Sequence, residues 1–213
     1  MQTIKGLCVL DVDGTLIEEE VIDLLGKEAN CEKEVALLTA QAMSGELDFE
    51  SSLKKRVSLL NGLSIDVFDK IYHELHLSKN AAQFVKTLQE NQIEVGLVSG
   101  GFTVIVERLA KQLGISLFTA NQLETRDGYL TGNLISPIIS REVKEATLVR
   151  WAEELQVPLD RTIAIGDGAN DLAMLKRSGL GIAFCAKEIV NKNTSCHIEE
   201  RDFTKVLEKI NFL

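Results

Sequence analysis

The sequence predicts an α/β fold in which a parallel sheet is flanked by helices and a small helical cap is inserted after the first strand. Short apolar runs of strand length at residues 7–10, 93–98 and 162–165 alternate with segments whose apolar residues recur every three to four positions. Strands that alternate with helices in this way form parallel sheets with right-handed crossovers. Between the first two runs, residues 16–77 carry only the helical spacing, which predicts an insertion.

The composition is typical of an ordered globular protein. Of the 213 residues, 45% are hydrophobic and 26% are charged, and no repeat or low-complexity tract interrupts them. This length suits one domain of ordinary size plus an insertion, at roughly 100–200 residues per domain. The net charge of −9 disfavours nucleic acids and anionic membranes as partners, because both attract basic surfaces.

No stretch approaches the roughly 20 apolar residues that a membrane span needs. The N-terminal residues also lack the long apolar segment of an export signal. We therefore expect a cytoplasmic protein with no membrane partner. The sequence leaves open whether it is a monomer or a homodimer.

The cysteines predict neither a disulfide framework nor a zinc site. Cys8, Cys31, Cys185 and Cys196 show no Cys-x-x-Cys spacing. Cys8 and Cys185 fall within apolar runs typical of strands, so we expect both to be buried, reduced thiols.

The insertion predicts about four helices and no strand. Its apolar residues recur at three-to-four spacing in groups that glycines separate. Asp48 and Ser64 are of the residue types that cap helix N-termini. We expect residues 16–77 to form a cap domain and residues 1–15 and 78–213 to form an α/β core domain.

Alternation of helices and strands returns after the insertion. The predicted helices cover residues 80–90, 102–113, 141–156, 171–176 and 203–210, the last capped by Asp202. Further strands are predicted within residues 117–134, 180–186 and 195–198. Within the first of these segments, Asp127-Gly128 is the strongest short signal for a hairpin. Ligands of such sheets bind beyond the carboxyl ends of the strands, so polar residues at those ends are candidate site residues.

Two acids directly follow the first predicted strand. Asp11 and Asp13 flank one apolar residue, and Gly14 then allows a tight turn. Carboxylates this close repel each other, so the pair is tolerable mainly with a cation between them. The alternative interpretation is a solvated Asp-x-Asp-Gly turn.

Three more polar groups fall at the same predicted sheet edge. Ser99-Gly100-Gly101 offers a hydroxyl and backbone amides that can bind phosphate, although an ordinary strand-to-helix turn has the same composition. Lys144 lies in the first turn of a predicted helix, where the macrodipole disfavours a cation, so an anionic partner would explain its position. Asp167 and Asp171 raise the number of carboxylates at this edge to four, which favours a hard divalent cation, Mg²⁺.

Taken together, these four motifs resemble those of the haloacid dehalogenase superfamily in order and spacing. The resemblance implies a Rossmann-like core in which Asp11 attacks phosphorus and Asp13 is the general acid and base. It also implies that Asp11, the backbone carbonyl of Asp13 and Asp167 bind Mg²⁺, with Asp171 in a supporting role. The residues implied to hold the phosphoryl oxygens are Ser99, Gly100, Asn170 and Lys144, the last also counted as catalytic.

Within that superfamily, the insertion resembles the cap of the phosphoserine phosphatases. The residues that carry this likeness are Glu20, Met43, Phe49 and Arg56, all implied to contact substrate. The resemblance implies that O-phosphoserine is the substrate and that its hydrolysis is the last step of serine biosynthesis. Glu20 would meet the substrate ammonium and Arg56 its carboxylate, for which a planar guanidinium is better suited than an ammonium.

Two other functions remain open from the sequence. One is hydrolysis of another small phosphate ester, such as phosphothreonine or phosphohomoserine, or phosphotransfer to an alcohol. Gly14 favours this alternative slightly, because serine is frequent there in phosphoserine phosphatases; Cys185 and Glu188 also depart from their pattern. The other function is a phospho-accepting, receiver-like signalling module, against which the long helical insertion argues.

Overall fold

The computed structural model describes residues 4–43 and 46–210, and the side chain of Met43 lies outside this description. The described residues form a sheet of seven strands in the order β4-β3-β2-β1-β5-β6-β7. The strands are β1 Gly6–Leu10, β2 Ile93–Phe102, β3 Leu117–Arg126, β4 Tyr129–Ile135, β5 Thr162–Gly166, β6 Leu180–Phe184 and β7 Cys196–Ile198. Only the pairing of β3 with β4 is antiparallel in this sheet. The predicted α/β class is confirmed.

Helices cover both faces of the sheet and fill the insertion. Their bounds are α1 Val21–Glu28, α2 Glu32–Met43, α3 Phe49–Ser58, α4 Val67–Glu74, α5 Ala81–Glu90, α6 Thr103–Leu113, α7 Arg141–Glu154, α8 Leu172–Arg177, α9 Glu188–Asn191 and α10 Phe203–Leu207. Helices α1 to α4 lie within the predicted insertion, as the spacing predicts, and a short helical turn at Val12–Leu16 precedes them. None of the described helices is both long and apolar enough to cross a membrane.

Strand β1 lies at the centre of the sheet and explains why its sequence is apolar throughout. All five of its residues are buried. Cys8 and Leu10 face the larger apolar core, which includes residues of α1, α3, α4, α5 and α6, whereas Leu7 and Val9 face the smaller core under α7 and α8. A parallel strand covered on both faces needs an apolar side chain at every position.

Backbone contacts close the base of helices α1–α4 and attach them to the sheet. Ile17 and Leu77 form an antiparallel bridge where the chain leaves the sheet and returns to it. The connection between α3 and α4 pairs with the β3–β4 hairpin: the Gly62 N–H donates to the Leu130 carbonyl at 2.8 Å, and the Leu130 N–H donates back to Leu63 at 2.8 Å. The division into core and cap domains stays a prediction.

The predicted caps and turns have mixed outcomes. The Asp48 carboxylate accepts the Ser51 N–H at 2.8 Å and caps α3, and the Asp202 carboxylate accepts the Thr204 N–H at 2.9 Å and caps α10. The prediction that Ser64 caps a helix is wrong. Helix α4 begins at Val67, and the Ser64 hydroxyl accepts the N–H of Asp66, which precedes the helix.

The Asp127-Gly128 hairpin is confirmed. Both residues have positive φ, 51° and 82°, which matches the two central positions of the tight hairpin turn that such a pair favours. The turn joins β3 directly to β4, so the predicted pair of short strands within residues 117–134 forms as expected.

The ends of β2 and β6 differ from the sequence expectation. Strand β2 continues through Ser99, Gly100 and Gly101 to Phe102, because its ladder with β3 resumes at Phe102 after a shift in register. Strand β6 ends at Phe184, so the prediction that Cys185 is buried in a strand is wrong; Cys185 is half-buried with φ 48°. Cys8 is fully buried, as predicted.

Candidate active site

The acids predicted to meet at one sheet edge do so because β1 and β5 are neighbours in register. Leu10 pairs with Ile165, so Asp11 and Asp167 follow adjacent strand ends. Carboxylate oxygens of Asp11, Asp167 and Asp171 lie within 4.8 Å of one another, and all three residues are buried. We call these residues the acid group.

Lys144 neutralises part of the acid group. Its Nζ lies 2.7 Å from Asp11 Oδ1 and 2.7 Å from Asp171 Oδ1, and its side chain has no exposed area. Burial alone would lower the pKa of Lys144, but the two carboxylates outweigh it and raise this pKa above its usual range. The anionic partner that its position in the first turn of α7 predicts therefore exists within the chain.

Asp171 is fully engaged by the protein itself. Its Oδ2 accepts the backbone N–H groups of Asp167 and Gly168 at 3.2 and 3.0 Å, while Oδ1 accepts from Lys144. A carboxylate with these partners holds the loop after β5 in shape. Asp171 is therefore better suited to a supporting role than to binding a ligand.

Asp11 and Asp167 are less completely engaged. None of the described residues gives Asp11 Oδ1 a well-directed hydrogen bond, although Lys144 lies close. Asp167 accepts a hydrogen bond from the Thr15 hydroxyl at 3.2 Å, and Lys187 Nζ is 3.7 Å away. Burial and the charge of Asp171 raise the pKa of Asp167 to about 6. Carboxylates this close repel each other when both are ionised, and a divalent cation between them would relieve that repulsion. Their oxygens are also hard ligands, the type that such a cation binds.

Gly14 is needed for this geometry. Its φ of +68° is in the left-handed region, and a Cβ added there would lie 2.9 Å from Asp167 Oδ2. The tight turn predicted after Asp13 thus brings the loop backbone against the acid group.

The side chain of Asp13 points away from the acid group toward the start of α1. The Val21 N–H donates to its Oδ1 at 2.8 Å and the Ser99 hydroxyl donates to its Oδ2 at 3.1 Å. The Gly101 N–H in turn donates to Ser99 Oγ at 2.8 Å. Burial raises the pKa of Asp13 although these hydrogen bonds oppose the rise. Asp11 and Asp13 therefore have different environments two residues apart.

Asp11 and Asp13 line a small cavity that α1 and α3 form together with the carboxyl ends of the strands. Its lining contains seven of the predicted site residues: Asp11, Asp13, Glu20, Phe49, Arg56, Gly100 and Asn170. Ser99, Lys144 and Asp167 lie in contact with these acids rather than on the cavity lining. The side chain of Met43 is outside the described residues.

Gly100 brings the sheet and α3 together across this cavity. A Cβ at Gly100 would lie 2.7 Å from the Phe49 ring and 3.4 Å from Asn170 Nδ2. The missing side chain therefore lets Phe49 cover the strand end from the opposite wall.

Arg56 provides positive charge at the far side of the cavity. Its side chain is 1% exposed, and Phe49 lies beside its guanidinium at 6.0 Å from ring centroid to Cζ. Nη1 donates to Thr39 Oγ1 at 3.1 Å and Nε to the Ser52 carbonyl at 3.4 Å. Nη2 is buried and finds no hydrogen-bond partner among the residues that the structure describes.

Glu20 lies on the same cavity, at the residue before α1. Burial and the nearby carboxylates, Asp13 foremost, raise the pKa of Glu20 well above its usual range. Its charge in turn opposes the lowering of the Arg56 pKa by burial. One acid and one guanidinium thus face a single small cavity beside the two acids of the first motif.

Several residues that support the site carry no recognisable motif. Arg201 Nη1 donates to the Gly14 carbonyl at 2.8 Å and to Ser78 Oγ at 3.2 Å. The buried Asn121 donates to the Gly100 carbonyl at 2.8 Å and accepts the Ile139 N–H. These contacts join segments far apart in the chain, so residue spacing contains no signal for them.

Comparison with known proteins agrees with this geometry. Residues 8–176 match the family model described as haloacid dehalogenase-like hydrolase. The chain belongs to the haloacid dehalogenase-like hydrolases. The matched range includes all four motifs that carry the resemblance in sequence, from Asp11 to Asp171.

Among hydrolases of this family, the chain resembles phosphoserine phosphatases over nearly its whole length. It is 51% identical to the phosphoserine phosphatase of Streptococcus thermophilus over 98% of this chain and 97% of that protein. It is 39% identical to the phosphoserine phosphatase of Methanocaldococcus jannaschii over 99% of this chain and 100% of that protein. A solved structure of a phospho-aspartyl intermediate analogue of phosphoserine phosphatase has a TM-score of 0.95 at 39% identity and covers 98% of this chain and 100% of that one.

Proposed function

We propose that this hydrolase converts O-phosphoserine to serine and inorganic phosphate through an aspartyl-phosphate intermediate on Asp11. The observation that carries the proposal is the single cavity that joins Asp11 and Asp13 to the buried guanidinium of Arg56 and the carboxylate of Glu20. Phosphoserine needs all of these groups, because it presents a phosphate ester, a carboxylate and an ammonium within one small molecule. The names of the relatives support the same substrate.

Mg²⁺ is the cofactor that the acid group favours. Asp11, the backbone carbonyl of Asp13 and Asp167 would hold it, since Asp171 is already bound by Lys144 and two backbone amides. All of these ligands are hard oxygens, the type that Mg²⁺ binds in proteins. When bound, the ion neutralises charge on the phosphoryl group that is transferred.

Asp11 acts as the nucleophile in the first step. A carboxylate oxygen of Asp11 forms a bond to phosphorus while the bond from phosphorus to the serine oxygen breaks. Lys144 keeps the charge of Asp11 compensated and its side chain oriented. Asp13, held by Val21 and Ser99, donates a proton to the departing serine oxygen.

The second step regenerates the enzyme. Asp13, now a carboxylate, takes a proton from water as the water oxygen attacks phosphorus, and the bond between Asp11 and phosphorus breaks. Phosphate leaves, and Asp13 holds its proton again. Ser99, the Gly100 backbone and Asn170, with Lys144, are the residues proposed to bind the phosphoryl oxygens in both steps.

Recognition of the amino-acid part is assigned to helices α1 and α3. The unpartnered Nη2 of Arg56 is available to a carboxylate, and Glu20 is placed to meet the ammonium. Phe49 and Met43 are the other proposed substrate contacts. Residues 16–77 would thus form a specificity cap over a core formed by residues 1–15 and 78–213.

Turnover of two phosphate esters by wild type and by an Arg56 variant tests the proposal. Phosphate release from phosphoserine by wild type should require Mg²⁺ and stop reversibly on chelation. Arg56→Ala should lose about 2–5 kcal/mol of kcat/KM for phosphoserine but little for p-nitrophenyl phosphate, which has no carboxylate. Lys54→Ala, on the exposed face of the same helix, is the matched control.

The outcomes separate the competing functions. Equal losses of both esters in Arg56→Ala would contradict carboxylate recognition and make Arg56 a structural residue. Faster turnover of phosphothreonine or phosphohomoserine than of phosphoserine would replace the substrate but keep the chemistry. A phosphoprotein stable over minutes, without turnover, would favour the signalling module instead.

A further inference from the structure

Arg56 has a hydrogen-bond arrangement that leaves one specific nitrogen free. Nε and Nη1 donate to Ser52 and Thr39, whereas Nη2 has no partner among the described residues and is buried. Burying a guanidinium nitrogen without a partner is costly, so such a group marks a position that a ligand completes. Which nitrogen stays free depends on the groups that hold the other two.

Thr39 connects Arg56 to a carboxylate. Its side chain on α2 is 4% exposed, and its hydroxyl donates to Asp23 Oδ1 on α1 at 2.8 Å while accepting from Arg56 Nη1 at 3.1 Å. The Val35 carbonyl lies 3.0 Å from the same hydroxyl. The hydroxyl has a single proton, and an ionised Asp23 is the stronger acceptor, so the oxygen lone pair faces Arg56.

A hydroxyl placed between Asp23 and Arg56 has an effect that a direct ion pair would not have. A carboxylate bound bidentately to Arg56 would occupy the nitrogens that a substrate carboxylate needs. Thr39 instead fixes the guanidinium through one neutral acceptor. No described carboxylate lies within 4.0 Å of the Arg56 nitrogens.

We infer that Thr39 and Asp23 are positioning residues that hold Arg56 with Nη2 free for the substrate carboxylate. The inference rests on the proposed function and deepens it, because it adds Asp23 of α1 and Thr39 of α2 to the residues that determine amino-acid specificity. A guanidinium that is already oriented loses less side-chain freedom when the substrate binds. Loss of the groups that orient Arg56 should therefore weaken substrate binding.

Variants of Thr39 separate the hydroxyl from the shape of the side chain. Thr39→Val keeps the branched shape and removes the hydroxyl, whereas Thr39→Ser keeps the hydroxyl. We expect Thr39→Val to raise the KM for phosphoserine roughly 10- to 100-fold, the loss of one hydrogen bond to a charged group, with kcat nearly unchanged. Thr39→Ser should keep the wild-type KM. The KM of Asp23→Asn should lie between those of Thr39→Ser and Thr39→Val.

Two controls distinguish positioning from general damage. Thr147→Val removes a hydroxyl from another buried threonine, on α7, and should leave the KM unchanged. In an Arg56→Ala background, Thr39→Val should have no further effect on phosphoserine, because the group it positions is gone. An equal rise in KM for p-nitrophenyl phosphate, or full additivity with Arg56→Ala, would overturn the inference.

A measurement without substrate tests the inference separately from the proposed function. The ¹⁵N NMR signal of the Arg56 Nη1 group, which donates to Thr39, should show slow proton exchange with water in wild type and in Thr39→Ser, and rapid exchange in Thr39→Val. An unchanged signal in Thr39→Val would overturn the inference even if phosphoserine is the substrate. Failure of wild type to hydrolyse phosphoserine would overturn the proposed function and leave this readout intact.

Discussion

Lys144 and Arg56 are the buried cations of the described site, and they differ in what neutralises them. Lys144 lies 2.7 Å from each of two carboxylates, whereas Arg56 donates only to a hydroxyl and a carbonyl. Lys144 is therefore held in direct ion pairs before any ligand binds, whereas Arg56 has no described carboxylate at ion-pair distance. The cation at the sheet edge is thus partnered by the protein itself, and the cation on α3 keeps one nitrogen that a ligand can bind.

The largest expected effect comes from removing the nucleophile. Asp11→Asn should reduce turnover of both esters roughly 10⁴-fold or more, because loss of a nucleophile removes the covalent step itself. Acid-quenched samples should contain no phosphoenzyme, whereas wild type should contain it. Asp127→Asn at the exposed hairpin turn, where asparagine suits the positive φ, is the control. Phosphoenzyme in Asp11→Asn would place the nucleophile elsewhere.

The contrast between the two cations should appear in stability. Lys144→Met leaves Asp11 and Asp171 buried without their partner, which should lower the free energy of unfolding by about 3–5 kcal/mol. Arg56 has no described carboxylate at ion-pair distance, so Arg56→Met leaves no buried acid without its partner. The free energy of unfolding should therefore fall less in Arg56→Met than in Lys144→Met. Urea unfolding of both variants measures the difference. Equal losses would show that Arg56 is as fully compensated as Lys144.

The effect of replacing Asp13 should depend on the leaving group of the ester. A serine alkoxide needs a proton as it departs, whereas nitrophenolate leaves unaided, and general acid catalysis is typically worth about 10²–10⁴-fold. Asp13→Asn should therefore slow phosphoenzyme formation from phosphoserine but spare it from p-nitrophenyl phosphate. Because water attack also needs Asp13, quenched flow should show a nitrophenol burst followed by slow turnover. Equal slowing without a burst would leave Asp13 only a structural role.

The smallest effect is expected for Arg201, which supports the loop without touching the cavity lining. Arg201→Lys replaces Nη1, the nitrogen that donates to both the Gly14 carbonyl and Ser78 Oγ, with an ammonium one bond nearer the backbone, which should fail to reach one of the two acceptors. Losing one such bond should cost about 1 kcal/mol in urea unfolding and change kcat/KM for both esters by the same few-fold factor. A loss confined to phosphoserine would instead place Arg201 in recognition.

The order of elements could be predicted because periodicity reports burial. Strand β1 is apolar at every position since both its faces are covered, and α1 to α4 repeat at helical spacing since each buries one face. The missed details depend on neighbours. Strand β2 extends to Phe102 because β3 pairs with it again after Val98, which the local sequence of glycines does not reveal.

The candidate site divides in the same way. Motif residues such as Asp11 and Asp167 could be located because short loops after adjacent strands keep them together. Thr39 and Arg201 could not, since each reaches the site from a separate helix or loop. Nothing in the local sequence of α2 distinguishes Thr39 from a surface residue until packing places its hydroxyl 3.1 Å from Arg56 Nη1.

The pairing of the α3–α4 connection with the β3–β4 hairpin has a mechanical consequence. The Ile17–Leu77 bridge joins the two segments that enter and leave α1–α4, and the Ser64–Tyr129 bridge joins the α3–α4 connection to β4. Side chains of α4 add a further attachment, because Asp69 pairs with Arg108 and Tyr72 donates to Gln112, both on α6. Residues 47–50 line a cleft opposite residues 140–142 and 169–170, and no backbone hydrogen bond between described residues joins its two sides. We therefore expect a movement that exchanges ligands with solvent to open the protein at this cleft and to leave the hairpin pairing intact.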